Sequence, residues 1–511
     1  MKIQNGEKAG INKKKKIISL TASIAALLII FFIYTTYNQE YVGGSDWYGY
    51  YSLSLLLKQG RVDLPVGLPP AQYPPIAPLS YFVKDGKVLQ QYPPGYPLLM
   101  ALAGFIGLEF YVTPILGILS IILMFLLIKD LTDTWIAALL SLLWAFSPIV
   151  MYGSTSVMSD LPATVFILLS LYFYRKKKII PSALALGFSL VIRPTNVLYC
   201  LIFLPVLLKE TWKDKQWIKF GLYFAVPVFL YGIYNWSIYG LPWKTGYSDF
   251  SDHLLTSVFF NHLVFYIKEI IIQFTPFLVI LALLGIWKKN KDSLFYASWF
   301  FIFLIFYSFW RSGGDVWWWT RFLLPAWPAL FFLAALGLKN LLTFIQSKRK
   351  QVKSLVNISL TLLTAVIIIY FVIYGFNHGD IWEKNKGKIY YDASKAIGEA
   401  VPANSFVGSI EFSGCIKLYA GVETFNSSYY PHSLFLISDL LKKRIPVYVA
   451  VEPWNREILT IKKFFEVFKV ENVMAVNGWT DFYLYRIVRR QMKPYQNMVR
   501  EWLEKKAIIE K

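Results

Sequence analysis

The chain has 511 residues and a net charge of +21. Its 56% apolar content and mean hydropathy of +0.46 are too high for a soluble protein of this length. The basic surplus sits in short clusters between apolar runs, Lys13–Lys16, Arg175–Lys178, Lys209–Lys219, Lys288–Lys291 and Lys348–Lys353, which argues against nucleic acid as a partner and marks cytoplasmic loops of a membrane protein.

From the start of the chain, residues 1–16 read as a basic cytoplasmic terminus and Ile17–Tyr37 as an uncleaved first helix. No small-residue cleavage site follows it, and Tyr34, Tyr37 and Trp47 form an aromatic exit instead. Residues 38–95 make a long external loop. Within it, Tyr81–Lys84 and Lys87–Gln90 flank Asp85-Gly86, the signature of a hairpin with a type I′ turn, and prolines at 69, 70, 74, 75, 78, 93, 94 and 97 stiffen the flanks. The run Tyr96–Leu108 is too short to span and is expected at the outer interface.

Ten further crossings are expected near 110–129, 134–151, 159–174, 179–193, 196–208, 217–239, 266–287, 294–311, 321–343 and 353–374. With about eleven crossings, every basic cluster falls inside and everything after Tyr374 falls outside. The tail, 375–511, changes character. Strand-like runs Phe406–Ile410, Pro446–Val451, Val473–Val476 and Phe482–Ile487 alternate with helical runs Tyr391–Glu399 and Asn455–Phe468, and Arg489–Lys511 reads as a charged amphipathic helix. The expected architecture is a polytopic α-helical membrane module, 17–374, carrying an extracytoplasmic α/β domain.

Two crossings are short in a useful way. From Lys178 to the turn at Arg193-Pro194 is about 15 residues, a rise of about 22 Å, which leaves Arg193 about 8 Å below the outer edge of an apolar core about 30 Å thick. Asp160 lies equally far before Arg175, so the carboxylate and the guanidinium share one depth. They form either a neutralising structural pair or part of a polar cavity, and the cost of charge at that depth favours the cavity. Asp46, in Gly43-Gly44-Ser45-Asp46-Trp47-Tyr48, is either a cap for Trp47–Lys58 or a reactive carboxylate. Arg321 follows Trp317-Trp318-Trp319-Thr320 and is either a snorkelling arginine under an aromatic belt or an anion ligand. Lys244, Tyr247, Asp249, Asp252, His253 and His262 occupy Gly240–His262 without a firm metal-ligand spacing. Cys200 lies in an apolar run and Cys415 in the tail, so no disulfide framework or zinc site is expected. There is no Asp-x-Asp, no phosphate-binding glycine loop after a strand and no Gly-x-Ser-x-Gly.

These elements in order resemble a known family. Asp46 follows helix one, the loop ends Gln91-Tyr92-Pro93-Pro94-Gly95-Tyr96-Pro97, and Ser159-Asp160, Arg193-Pro194-Thr195-Asn196 and Arg321-Phe322-Leu323-Leu324-Pro325 complete the series. Together they are similar to the GT-C-fold glycosyltransferases, in the branch of dolichyl-phosphate-mannose–protein mannosyltransferases and lipid A aminoarabinose transferase. The resemblance spans about residues 17–374. It implies a polyprenyl-phosphate sugar as donor, a lipid, glycan or protein acceptor, and transfer with inversion on the external face of the plasma membrane. Asp46 would be the base, Asp160 a second acidic position, and Arg193, Arg321, Lys244 and Tyr92 the donor-phosphate set. Tyr92 stands where relatives often carry a charged residue. No metal or other cofactor is expected, because fixed cations already suit a phosphate leaving group. A transporter or flippase of lipid-linked sugars is the alternative, but such proteins usually show internal repeats, and none is visible here. A receptor acting through its tail would leave the recessed charges unexplained.

Overall fold

The computed structural model describes residues 21, 23–64, 77–78, 80–247, 250–348, 353–378, 381–452, 457–476 and 482–509. The basic terminus 1–16, the start of helix one at 17–20, the prolines at 69, 70, 74 and 75, Asp249, most of the Lys348–Lys353 cluster and the start of the 455–468 run lie outside the described residues. The chain divides into two compact units, a helical one drawn from Met1–Asn38, Phe110–Leu230 and Phe250–Lys384, and a mixed one drawn from Gln39–Glu109, Tyr231–Asp249 and Asn385–Lys511. The first loop and the tail, far apart in sequence, thus fold into the same unit.

In the helical unit, α1 (Ser23–Thr36) precedes α4 (Val112–Leu131), α5 (Thr134–Phe146), α6 (Pro148–Thr155), α7 (Asp160–Arg175), α8 (Ile179–Ile192), α9 (Val197–Thr211) and most of α10 (Gln216–Tyr239). Then come α11 (Phe259–Phe274), α12 (Pro276–Trp287), α13 (Lys291–Ser308), a 3₁₀ run Trp317–Ala326 leading into α14 (Trp327–Lys348), and α15 (Lys353–Asn377). Among the described residues, five helices are long and apolar enough to cross a bilayer, six if α5 and α6, bent by 61° where Pro148 enters, count as one span. The stretch 266–287, expected as one crossing, lies in two helices. Thr275 takes φ 69° between them, and Pro276, which has no N–H to continue the ladder, opens α12.

Lipid is the solvent this surface requires. Leu355, Ile358, Leu362, Val366, Ile369 and Ile373 recur at helical spacing along α15 and are all exposed. Inside, helix pairs approach by omitting side chains. A Cβ on Gly337 of α14 would lie 1.8 Å from the Leu281 carbonyl oxygen of α12, and one on Gly285 2.1 Å from that of Leu333.

The unit has two chemically distinct ends. At one, Arg175 at the end of α7 meets Asp292 of α13 at 2.6 Å, and Lys176 meets Asp130 of α4 at 2.8 Å. At the other ends of α7 and α13 lie Asp160 and Tyr307.

In the mixed unit, α2 (Gly44–Lys58) packs on the sheet β1 (Asp63–Leu64), β3 (Lys87–Gln90), β2 (Tyr81–Lys84), and on α3 (Gly95–Gly104). The hairpin forms as expected, with Asp85 at φ 49° and Gly86 at φ 74°, both left-handed as a type I′ turn demands. The tail is an α/β domain. Its elements run α16 (Lys388–Ala400), β4 (Phe406–Ser409), α17 (Ser413–Ala420), β5 (Glu423–Asn426), α18 (His432–Lys442), β6 (Val447–Val451), α19 (Leu459–Val467), β7 (Phe468–Val476), β8 (Phe482–Arg490) and α20 (Met492–Ile509). The strand order is β5-β4-β6-β8-β7, with β4 parallel to both neighbours and β8 antiparallel to its own. Val447–Val451 is apolar and buried throughout, which places it centrally.

Candidate active site

The sequence-derived residues fall into two constellations, one in each unit. In the mixed unit, Asp46 does not cap α2. The helix begins two residues earlier, and Asp46 stands in its first turn, where a negative charge faces the helix dipole favourably. Its Oδ1 accepts a hydrogen bond from the Tyr92 hydroxyl. Burial first, and the Asp46 charge after it, push the Tyr92 phenol well above its ordinary range, so it stays protonated and donates. Tyr92 reaches across α2 because position 49 is glycine. A Cβ there would lie 2.2 Å from the Tyr92 ring. The Tyr92 ring also lies 4.6 Å from Tyr50 and edge-on to Tyr247 at 5.8 Å. Lys244 is exposed on that same Gly240–Tyr247 segment, whose Gly246 abuts the Gln91 backbone.

The tail braces the base of this arrangement. The Tyr419 hydroxyl of α17 accepts from the Val42 N–H at 2.9 Å, and a Cβ on Gly43 would strike the Tyr390 ring of α16 at 2.3 Å. A Cβ on Gly414 would strike Tyr48 of α2. Tyr419, Tyr390 and Gly414 therefore fix the segment that carries Asp46, and no motif in the tail announced it.

In the helical unit, Asp160 and Arg193, placed at one depth by helix rise, form an ion pair. The Asp160 side chain is 4% exposed and that of Arg193 13%. Arg193 sits where α8 ends against Pro194. Its Nη2 donates to the Tyr307 hydroxyl at 3.1 Å, and its Nε donates to Thr195 Oγ1 at 3.2 Å. The Tyr307 hydroxyl in turn donates to Thr195 Oγ1 at 2.8 Å. Arg321 is buried rather than snorkelling, 5% exposed, with its guanidinium carbon 4.9 Å from the Trp318 ring and 5.3 Å from Trp319. Both guanidiniums flank the Phe322 ring at 5.4 Å, so they are at most twice that distance apart. The structure thus gathers Asp160, Arg193 and Arg321, gives a contact role to Thr195 and Phe322, which the motifs held without one, and adds Tyr307, which sequence reasoning did not find. Among the described residues no group of three His, Cys, Asp or Glu side chains has metal-binding geometry. His253 stacks on Trp310 at 5.0 Å, and His262 lies buried on α11.

An anion with a flat aromatic floor and two fixed guanidiniums is what this second constellation can hold. The EpsG family matches residues 21–380. This chain belongs to the EpsG family. It is a family of glycosyltransferases, and the fold of this member is the GT-C fold. The crystal structure of ArnT from Cupriavidus metallidurans bound to undecaprenyl phosphate aligns with a TM-score of 0.60 at 13% identity, over 91% of this chain and 97% of that one. Its apo state aligns at 0.58 and 12% identity over the same shares. The oligosaccharyltransferase of Archaeoglobus fulgidus, in complex with zinc and sulfate, aligns at 0.50 and 13% identity, over 89% of this chain and 72% of that one. At such identities the likeness is one of fold. No curated protein matches the sequence significantly. Within the EpsG match lie Asp46, Tyr92, Asp160, Arg193, Lys244 and Arg321, while the bracing residues Tyr390, Gly414 and Tyr419 lie beyond it.

Proposed function

We propose that this EpsG-family protein moves a sugar from a polyprenyl-phosphate donor to a hydroxyl of a lipid, glycan or protein acceptor, on the outer side of the plasma membrane and with inversion. The observation that carries this reading is the pair of guanidiniums around Phe322, Arg321 buried and Arg193 largely so, at the end of the helical unit opposite Arg175 and Lys176. Positive-inside logic puts the Arg175 end in the cytoplasm and the arginine pair outside. It also puts 38–95 and 375–511 outside, with about eleven passages of which α11 and α12 form one broken pair. The likeness to ArnT, a protein whose structure holds undecaprenyl phosphate, supports a lipid phosphate as the anion.

In this reading Arg193 and Arg321 hold the donor phosphate, Asp160 and Tyr307 aim Arg193, and Lys244 adds a cation from its exposed segment. Asp46 takes the proton of the acceptor hydroxyl while that oxygen bonds to the anomeric carbon from the face opposite the phosphate. The carbon–oxygen bond to the phosphate breaks, and the charge that develops there is met by cations already in place. Tyr92 holds Asp46 in position.

The test is purified protein in nanodiscs supplied with a membrane lipid extract and followed by mass spectrometry. Polyprenyl phosphate should appear as an acceptor gains the mass of one sugar. Lipid-linked sugar left intact there, yet moved across the bilayer by the same protein in sealed vesicles, would replace this reading with that of a transporter.

A further inference from the structure

The buried face of α11 is polar over three turns, with His262, Tyr266, Glu269 and Gln273 at spacings of four, three and four. Its second half is satisfied internally. The Gln273 amide donates to Glu269 at 2.9 Å and to the Trp317 carbonyl at 3.2 Å, and Thr320 donates to the Gln273 oxygen at 3.1 Å. The first half is not. Tyr266 is fully buried and His262 6% exposed, yet neither the Tyr266 hydroxyl nor His262 Nδ1 has a hydrogen-bond partner among the described residues. A buried polar atom without a partner is costly, more so where no water competes, and such atoms call for an explanation.

Their surroundings supply one. Tyr266 lies within electrostatic reach of Arg193, Arg321 and Tyr307, the groups that define the anion site. The backbone that passes over this face is stripped of side chains. A Cβ on Gly313 would lie 3.3 Å from the Tyr266 hydroxyl, and one on Gly314 2.3 Å from the His262 ring.

We infer that Tyr266 and His262 form a further wall of the lipid-phosphate site, Tyr266 donating its hydroxyl to a phosphate oxygen and His262 meeting the headgroup one turn away. The inference rests on the lipid-phosphate reading above. It explains why the Tyr266 hydroxyl, within reach of the arginines, and His262 one turn away are both left orphaned: their partner is the ligand. A neutral donor beside the two cations also adds direction without adding charge, which two guanidiniums alone do not supply.

The probe is undecaprenyl phosphate, titrated against the full chain in nanodiscs, beside the thermal midpoint of the unliganded protein. Tyr266→Phe removes one oxygen and keeps the packing. Its affinity should fall about fivefold to tenfold while the unliganded midpoint holds or rises, because an unpartnered hydroxyl has been deleted. His262→Ala should weaken binding in the same assay by a smaller factor. Tyr199→Phe is the control, since its hydroxyl is equally buried and unpartnered but lies within reach of Arg175 at the other end of the unit. That variant should bind as the parent does. Unchanged affinity in Tyr266→Phe, or a loss equal to that in Tyr199→Phe, overturns the inference. Failure of the parent protein itself to bind the probe would instead remove the lipid-phosphate reading on which it stands.

Discussion

Replacing Arg193 and Asp160 together separates a scaffold from a ligand-binding group. Arg193→Met alone strands a carboxylate whose side chain is 4% exposed, and breaking a buried pair from one side costs about 3–5 kcal/mol. Asp160→Leu alone takes the carboxylate away from a guanidinium that also donates to the neutral oxygens of Tyr307 and Thr195, and should cost a comparable amount. Exchanging both for apolar residues of similar volume removes the desolvation of each charge along with their attraction, so the double variant should return to within about 1–2 kcal/mol of the parent. Binding behaves differently. One charge-assisted contact to a phosphate is worth about 1.5–3 kcal/mol, or about tenfold to 150-fold in affinity. The double variant should therefore be stable and yet bind undecaprenyl phosphate at least about tenfold more weakly. Thermal unfolding and lipid titration on the same preparation read both quantities. A stable double variant with parental affinity would make Arg193 scaffold alone and refute its assignment to the donor.

Asp46→Asn should lower turnover by about 10²–10⁴ while donor affinity holds, and near-normal turnover would remove Asp46 as the base. Turnover should persist in EDTA, and loss that magnesium or manganese restores would instead make the aspartates metal ligands. In the tail, burial and then the neighbouring Glu452 raise the Glu411 carboxyl above its ordinary 4.5. The folded state then holds more protons than the unfolded one between 4.5 and the raised value, so stability falls as pH rises through that window. Glu411→Gln should therefore raise the thermal midpoint at pH 7 and match the parent near pH 4, and equal midpoints at both would contradict this.

The parts that could be read from the sequence are those for which few alternatives exist. Asp85-Gly86 admits both left-handed conformations that a tight hairpin needs, and the flanking strands pair as expected, Tyr81 with Gln90 and Lys84 with Lys87. The charges at depth were readable for a related reason. Rise per residue fixes where Asp160 and Arg193 lie, and a lone charge in apolar surroundings is so costly that each all but specifies the other. The break at Thr275-Pro276 was written in the sequence, but the apolar run continues across it, and hydropathy alone does not register a bend.

Neutral groups carry no such compulsion. Tyr307 and Tyr266 are two of 34 tyrosines, and a tyrosine in an apolar run is ordinarily packing. Only the folded structure shows that one hydroxyl holds Arg193 and that the other has no hydrogen-bond partner among the described residues. The bracing of α2 by Tyr419 was hidden by distance, since 377 positions separate it from Val42 and nothing local to either residue encodes the contact. The glycines are the exception that could have been used. Gly43, Gly49 and Gly314 each mark a place where another group fills the space of a missing Cβ, those groups being Tyr390, Tyr92 and His262, and Gly313 brings its backbone close to the Tyr266 hydroxyl. Two belong to the setting of Asp46 and two to the wall proposed beside the arginines. At these four positions the approach is made by residues assigned to the chemistry or by the one that braces it.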